Sequence, residues 1–112
     1  MQIIKWKEEN FLENEVKVNV LSQNSNAKEI QILLAKDAIM KEHKAPFDIS
    51  VQVLSGKISF GVLDKEFILN ELDMISLKAN EIHSLKALEN SIVRLSLAQS
   101  DTIARVKDVL KK

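Results

Sequence analysis

Apolar and polar side chains alternate through most of this sequence between residues 28 and 97. The clearest example is Ile49, Val51 and Val53, which are separated by Ser50 and Gln52. A period of two places successive side chains on opposite faces of an extended strand. The pattern therefore predicts β-strands that have one apolar face and one solvated face.

Turn-forming residues divide the alternating region into short strands. The polar cluster at residues 22–26 follows an alternating run at residues 16–20. Ser55 and Gly56 predict a tight turn within a hairpin, because glycine adopts positive φ at little cost. Residues 63–66 predict a second turn. Short strands at this spacing are typical of an all-β sandwich or barrel.

Two segments are predicted to differ from this pattern. Residues 36–44 are rich in lysine, and we interpret them as a solvated loop at the edge of the barrel. Near the carboxy terminus, Ile103, Val106 and Val109 fall at helical spacing. They predict a short amphipathic α-helix over residues 101–111, whose apolar stripe would pack on the barrel or on a partner subunit.

Length and composition limit the possible functions. A chain of 112 residues is long enough for one core and hence for one main site. Sixteen basic residues balance sixteen acidic ones, so we expect no nucleic-acid partner and no anionic membrane surface. No cysteine is present, which excludes disulfides and thiolate chemistry. Without an apolar run of signal-peptide or membrane-span length, the expected location is the cytoplasm.

The first of two motifs surrounds His43. Its spacing is similar to Gly-x5-His-x-His-x3/4-Glu-x6-Gly, the first motif of the cupin superfamily of small β-barrels. His43 stands at the first histidine and Gly56 at the closing glycine. Asp37 replaces the opening glycine, Ala45 the second histidine and Ile49 the glutamate.

The second motif surrounds His83. It resembles the cupin pattern Gly-x5-Pro-x-Gly-x2-His-x3-Asn, and His83 stands at its histidine. The other positions hold Leu72, Lys78, Asn80 and Ala87. Asparagine tolerates a left-handed conformation, so Asn80 can preserve the turn that presents His83.

The resemblance implies one domain over residues 1–112, an all-β cupin-like small barrel (a double-stranded β-helix or jelly roll) with the short carboxy-terminal α-helix. Residues 1–27 form an amino-terminal arm and strands, residues 28–98 the conserved barrel core, and residues 101–111 the helix. In many cupins such an arm pairs with a second subunit, which here implies a homodimer that buries Trp6 and Phe11.

The resemblance also implies that both histidines converge inside the barrel. The predicted ligand-binding residues there are His43, His83, Ile49, Val51, Val53 and Leu85. Two imidazoles without a carboxylate make a poor metal site, so neither a cofactor nor a tightly bound metal is expected.

Two functions remain open. The first is a non-catalytic barrel that binds a small, partly apolar molecule, or an interaction module, and this interpretation assigns no catalytic residue. The alternative is a metal-dependent enzyme of the isomerase or dioxygenase type that uses His43 and His83. A third interpretation treats both histidines as remnants that bond only to backbone or water.

Overall fold

The computed structural model describes residues 1–7, 10–98, 100, 106–107 and 109–110, and in these ranges it forms nine β-strands. The strands are β1 (Val16–Gln23), β2 (Ala27–Leu34), β3 (Ile39–His43), β4 (Ile49–Ser55), β5 (Ile58–Val62), β6 (Lys65–Leu69), β7 (Met74–Leu77), β8 (His83–Ala87) and β9 (Ser91–Ala98).

The strands form two antiparallel sheets that face each other across one apolar core. The larger sheet has the order β1-β2-β9-β4-β7 and the smaller one the order β3-β8-β5-β6. Burial alternates along β4 and β8, and Val53, Val93 and Phe60 are completely buried between the sheets. The prediction of an all-β barrel is therefore confirmed.

The turn at Gly56 carries the chain from one sheet to the other. Gly56 has a φ of +93° and lies between β4 in the larger sheet and β5 in the smaller one. A Cβ at this position would lie 2.3 Å from Ser91 Oγ, so the turn requires glycine for space as well as conformation. The predicted turn is present, but the predicted hairpin is wrong because its two strands do not pair.

The hairpin between β5 and β6 is tighter than predicted. Val62 pairs with Lys65, and only Leu63 and Asp64 lie between them. Both have positive φ, as a two-residue type I′ turn requires. Residues 65–66, which we assigned to the turn, therefore belong to β6.

The lysine-rich segment at residues 36–44 was wrongly interpreted as a loop. It contains β3, an edge strand of the smaller sheet. Of its five residues only Met40 is fully buried, and the pairing with β8 has an irregular register. Charged residues are common on edge strands because they discourage pairing with other molecules, and they concealed the strand here.

The helix predicted over residues 101–111 is not confirmed, and most of that stretch lies outside the described residues. Val106 and Lys107 have helical backbone geometry. The amides of Val109 and Leu110 donate to the carbonyls of Val106 and Lys107 at 3.3 and 3.1 Å, as in a tight turn. Among the described residues, no helix is long and apolar enough to cross a membrane.

The amino-terminal arm lies on the outer face of the larger sheet. Gln31 is buried on β2, and its side-chain amide donates to the Trp6 carbonyl at 2.9 Å. The guanidinium of Arg94 on β9 lies 5.6 Å from the centroid of the Trp6 ring, within the range of a cation–π interaction. These two contacts attach the arm to the sheet.

Arg94 also forms an ion pair on this face. Its Nε donates to Glu29 Oε1 at 2.8 Å, and Ser96 Oγ donates to the same oxygen at 2.7 Å. Partial burial raises the pKa of the Glu29 carboxyl, but the two hydrogen bonds and the attraction to Arg94 outweigh it. The pKa of Glu29 therefore lies below its ordinary value, and the hydrogen bond from Arg94 raises the pKa of the guanidinium.

We expect this pair to stabilise the fold only while Glu29 is ionised. Because the folded state lowers its pKa, the stabilisation is present above the ordinary glutamate value, about 4.3, and is lost as the pH falls through the folded value. A double-mutant cycle with Glu29→Gln and Arg94→Gln should give a coupling free energy of roughly 0.5–1 kcal/mol at pH 7.

Urea unfolding of the four proteins at pH 7, 5 and 3 measures this coupling. It should decline between pH 5 and pH 3. A coupling energy that stays constant over this interval would contradict the assignment of Glu29 as the titrating group.

Candidate ligand-binding site

His43 and His83 face each other inside the barrel. His43 ends β3, His83 begins β8, and they are direct partners in the antiparallel pairing of the two strands. Partners in such a pair project from the same face of the sheet. Their ring centroids lie 4.2 Å apart at an interplanar angle of 62°, an edge-to-face arrangement. The structure thus brings the two predicted histidines together.

A register shift in β3 turns His43 inward. Met40 pairs with Leu85 and His43 with His83, so two residues separate these positions on β3 and only one separates them on β8. This is the geometry of a β-bulge, in which one extra residue reverses the alternation of a strand. His43 and Met40 therefore share the inner face, although residues three positions apart in a regular strand point to opposite faces.

Hydrogen bonds to the backbone fix the proton position on both rings. His43 Nδ1 lies 2.8 Å from the Lys41 carbonyl oxygen, and His83 Nδ1 lies 2.9 Å from that of Glu81. A carbonyl oxygen can only accept, so each Nδ1 carries a hydrogen and donates it. In a neutral imidazole, Nε2 is then the nitrogen with a lone pair. Both histidines are thus set in the same tautomer.

Packing also fixes the orientation of His83. This residue is 2% exposed, and its ring stacks on Phe60 with a centroid distance of 5.6 Å and an interplanar angle of 7°. Phe60 lies on β5, the other neighbour of β8. His83 is therefore held from one side by an aromatic ring and from the other by His43.

The histidine pair borders a small cavity with apolar walls. Its volume is about 20 Å³, enough for about one water molecule. The lining residues are Ile32, Met40, His43, Ile49, Val51, His83, Leu85, Leu95 and Val106.

Five of the six predicted site residues line this cavity, and Val53 does not. Val53 points inward but is completely buried elsewhere in the core. The prediction omitted Ile32, Met40, Leu95 and Val106. Alternation in β2 and β9 is a signal that identifies Ile32 and Leu95, whereas no sequence signal placed Met40 or Val106 at the site.

Solved structures share this arrangement of strands. A cupin superfamily protein from Desulfitobacterium hafniense has a TM-score of 0.73 at 16% identity, with coverage of 87% of this chain and 98% of that chain. An RmlC-like cupin from Methanocaldococcus jannaschii with a double-stranded β-helix fold has a TM-score of 0.67 at 14% identity, with coverage of 88% and 90%.

A cupin 2 conserved barrel domain protein from Leptotrichia buccalis has a TM-score of 0.72 at 27% identity, and the match covers 80% of this chain and 44% of that chain. The sequence matches no protein-family model, and a comparison with curated proteins finds no match.

The chain has the fold of the cupin superfamily. The resemblance found in the two motifs is therefore confirmed at the level of the fold. A fold alone does not assign an activity, because the same barrel serves unrelated functions.

Backbone conformation preserves the cupin motifs where the side chains do not. The four positions at which the two motifs have glycine are Asp37, Gly56, Leu72 and Asn80 in this chain, and all four have positive φ, between 70° and 93°. Left-handed geometry is costly for a residue with a Cβ and least costly for glycine, asparagine and aspartate. All four motif-glycine positions thus have left-handed geometry in this chain, and Leu72 is the least suitable of the four residues.

We expect Leu72→Gly to stabilise the protein. Leu72 is 65% exposed, so removing its side chain forfeits little burial. Relief of the left-handed strain stabilises the folded state, whereas the greater conformational entropy of glycine stabilises the unfolded chain. The net effect should be to raise the free energy of unfolding by about 0.5–1 kcal/mol.

Leu72→Ala is the matched control, because it removes the side chain but retains a Cβ at positive φ. Thermal and urea unfolding should place Leu72→Gly above both Leu72→Ala and the parent protein. Equal stability of the two variants would show that Leu72 is not strained.

The residues present fit a tightly bound metal poorly. Two ligand positions of the first cupin motif hold Ala45 and Ile49, which are buried and have no ligand atom. Asp48 is exposed, and its Oδ1 accepts a hydrogen bond from the Ala79 amide at 2.9 Å instead of lining the cavity. In the described part of the chain, no group of three His, Cys, Asp or Glu side chains could hold a metal ion.

Proposed function

We propose that this cupin-fold chain binds a small, partly apolar molecule beside His43 and His83, without catalysing a reaction and without a tightly bound metal. The observation that carries the proposal is the edge-to-face imidazole pair within an otherwise apolar wall. Ligand sites in proteins are typically apolar surfaces with a few fixed polar groups that orient the ligand. The other non-catalytic function that we propose is that of an interaction module.

The chemistry of the walls specifies the kind of ligand. Ile49, Val51 and Leu85 offer only apolar contacts, whereas the two imidazole rings offer polar atoms. Hydrogen bonds to backbone carbonyls already fix both rings, so a ligand would meet preorganised groups. Because Nε2 of a neutral imidazole in this tautomer accepts a hydrogen bond, the matching ligand has a short apolar portion next to one N–H or O–H donor, as in a small amide or phenol.

Binding can be tested by NMR with a series of short-chain amides and phenols. A binding compound should shift the imidazole resonances of His43 and His83 together with the methyl resonances of Ile49 and Leu85. His83→Ala should raise the dissociation constant at least tenfold, which corresponds to a loss of about 1.4 kcal/mol of binding free energy.

Lys86→Ala is the control for this experiment, because Lys86 is an exposed residue on the same strand. It should leave the affinity unchanged. Compounds that bind equally well to the His83→Ala variant would contradict a site at the histidine pair.

The alternative is a metal-dependent enzyme that uses both histidines. It is supported by two nearby imidazoles in the same tautomer, each with Nε2 as the lone-pair nitrogen. Catalytic zinc usually takes three protein ligands, and non-haem iron takes two histidines and a carboxylate.

We therefore expect protein purified without an affinity tag to contain well under one equivalent of nickel, iron, zinc or manganese by elemental analysis. Stoichiometric metal that is lost on His83→Ala would favour the enzyme instead.

We also propose that the protein is a cytoplasmic homodimer. β1 is an outer strand of the larger sheet, and an outer strand offers backbone groups to a second chain. Val20 on this strand is 43% exposed. Trp6 contacts its own sheet through Gln31 and Arg94, so the arm can remain on its own chain while the edge of β1 pairs with a second copy.

Light scattering at micromolar concentration should give the mass of a dimer. Val20→Lys places a charge on the proposed edge and should shift the protein toward monomer. Ile68→Lys, at an exposed position on the outer strand β6, should not. A monomer from the parent chain would contradict the dimer.

A further inference from the structure

The outer face of the larger sheet has a polar recess over β4, β7 and β9. Val51 and Leu95 on β4 and β9 line the cavity inside the barrel, whereas the alternate residues of these strands point outward. Gln52 and Arg94 are direct partners among these outward residues. The polar recess has a volume of about 190 Å³ and is lined by Ser50, Gln52, Met74, Arg94 and Ser96.

An apolar recess lies further along the same two strands. Val53 pairs with Val93 and Ser55 with Ile92, so β4 has one residue more than β9 at this point, as in a β-bulge. The amino-terminal arm supplies a further wall. The apolar recess has a volume of about 300 Å³ and is lined by Trp6, Lys7, Leu54, Ser55 and Ile92.

The two recesses meet where Arg94 contacts Trp6. Arg94 lines the polar recess and Trp6 the apolar one, and the guanidinium lies 5.6 Å from the centroid of the indole ring. The buried Gln31 donates to the Trp6 carbonyl at 2.9 Å and so holds the aromatic wall against the sheet. The outer face therefore offers an aromatic surface directly beside a guanidinium.

Arg94 has donors that the fold does not use. Its Nε donates to Glu29 Oε1 at 2.8 Å, and in the described part of the chain no hydrogen bond uses its two terminal nitrogens. A guanidinium is planar, so two of its N–H groups can donate in parallel to both oxygens of a carboxylate. Ser50 lines the same recess with a hydroxyl group that can also donate.

The charges around the two recesses favour an anion with an apolar portion. Among the described residues that line them, Lys7 and Arg94 are cationic and none has a carboxylate. An anionic group beside Arg94 is therefore attracted and meets no like charge on the lining. In the apolar recess, Trp6 offers a ring face on which a second aromatic ring can pack in an offset arrangement.

We propose that these two recesses form a second binding site, which takes a small aromatic carboxylate. The carboxylate accepts hydrogen bonds from the terminal nitrogens of Arg94 in the polar recess, and the ring packs against Trp6 in the apolar recess. The site shares no lining residue with the cavity at the histidine pair. It therefore does not depend on the function proposed for that cavity.

The fluorescence of Trp6 reports directly on this site, because Trp6 is the only tryptophan in the chain. The full chain is titrated with 3-phenylpropionate and with its neutral isostere 3-phenylpropanamide at pH 7. The acid should change the fluorescence and bind about tenfold more tightly than the amide, since only the acid forms charge-assisted bonds to Arg94.

Gln52→Glu places a negative charge in the polar recess with almost no change in volume. It should weaken binding of the acid about tenfold, through repulsion of like charges, and leave binding of the amide unchanged. Gln23→Glu is the matched control, because it adds the same charge at an exposed position of β1 in the same sheet. It should leave the affinity for both probes unchanged.

Arg94→Lys tests the paired donors. It retains the positive charge but not the planar fork, and it should also weaken binding of the acid about tenfold. Because Arg94 also contacts Glu29 and Trp6, the dispersion of the NMR spectrum is compared with that of the parent protein. If Arg94→Lys does not fold, Gln52→Glu provides the test.

Three results would each overturn the second site. They are an unchanged Trp6 fluorescence at millimolar 3-phenylpropionate, equal affinity of the parent protein for the acid and the amide, and binding of the acid to Gln52→Glu as tightly as to the parent protein. His83→Ala should leave the Trp6 titration unchanged. A titration that is lost in this variant would place the acid at the histidine pair and would likewise contradict a site on the outer face.

Discussion

The inward alternation of the strands holds this molecule together, because both sheets bury one face against the same core. That core can form only if the chain passes repeatedly between the sheets, as it does at Gly56 between β4 and β5. Such a corner needs a backbone conformation that most residues resist. Left-handed turns at Asp37, Leu72 and Asn80 occupy equivalent places in the two cupin motifs. These four positions thus share a left-handed conformation although only one of them holds glycine.

The histidine pair depends on a local exception to the same alternation. Without the extra residue in β3, His43 would project to the outer face while Met40 stayed inside. The bulge places His43 opposite His83 on the inner face. Carbonyl oxygens of Lys41 and Glu81 then orient the two rings. Because β3 is an outer strand, this irregularity disturbs only its pairing with β8.

The alternation of the strands and the bulge in β3 explain which parts of the structure could be predicted from the sequence. Alternation identified β4, and the motif spacing implied that both histidines share one interior. Strand β3 was missed because its charged residues resemble those of a loop and because alternation fails across its bulge. The supposed hairpin at Gly56 was wrong because a tight turn looks the same in sequence whether its strands pair or separate.

The residues that line the site were also predicted only in part. Val51 and Leu85 were predicted from parity, and Ile32 and Leu95 follow the same rule. Val53 obeys that rule as well but lies away from the cavity, because parity fixes the face of a sheet and not the depth along the barrel. Val106 comes from a segment with no sheet register, so only the three-dimensional structure connects it to the histidines.

The small size of the cavity limits which molecules the site can favour. Ile49, Leu85 and the buried side chain of Val106 already fill this part of the core. An apolar molecule without a polar group would merely replace one set of apolar contacts by another. A group that donates a hydrogen bond to His43 or His83 adds an interaction that an aliphatic side chain cannot make, so the histidine pair would determine which molecules bind.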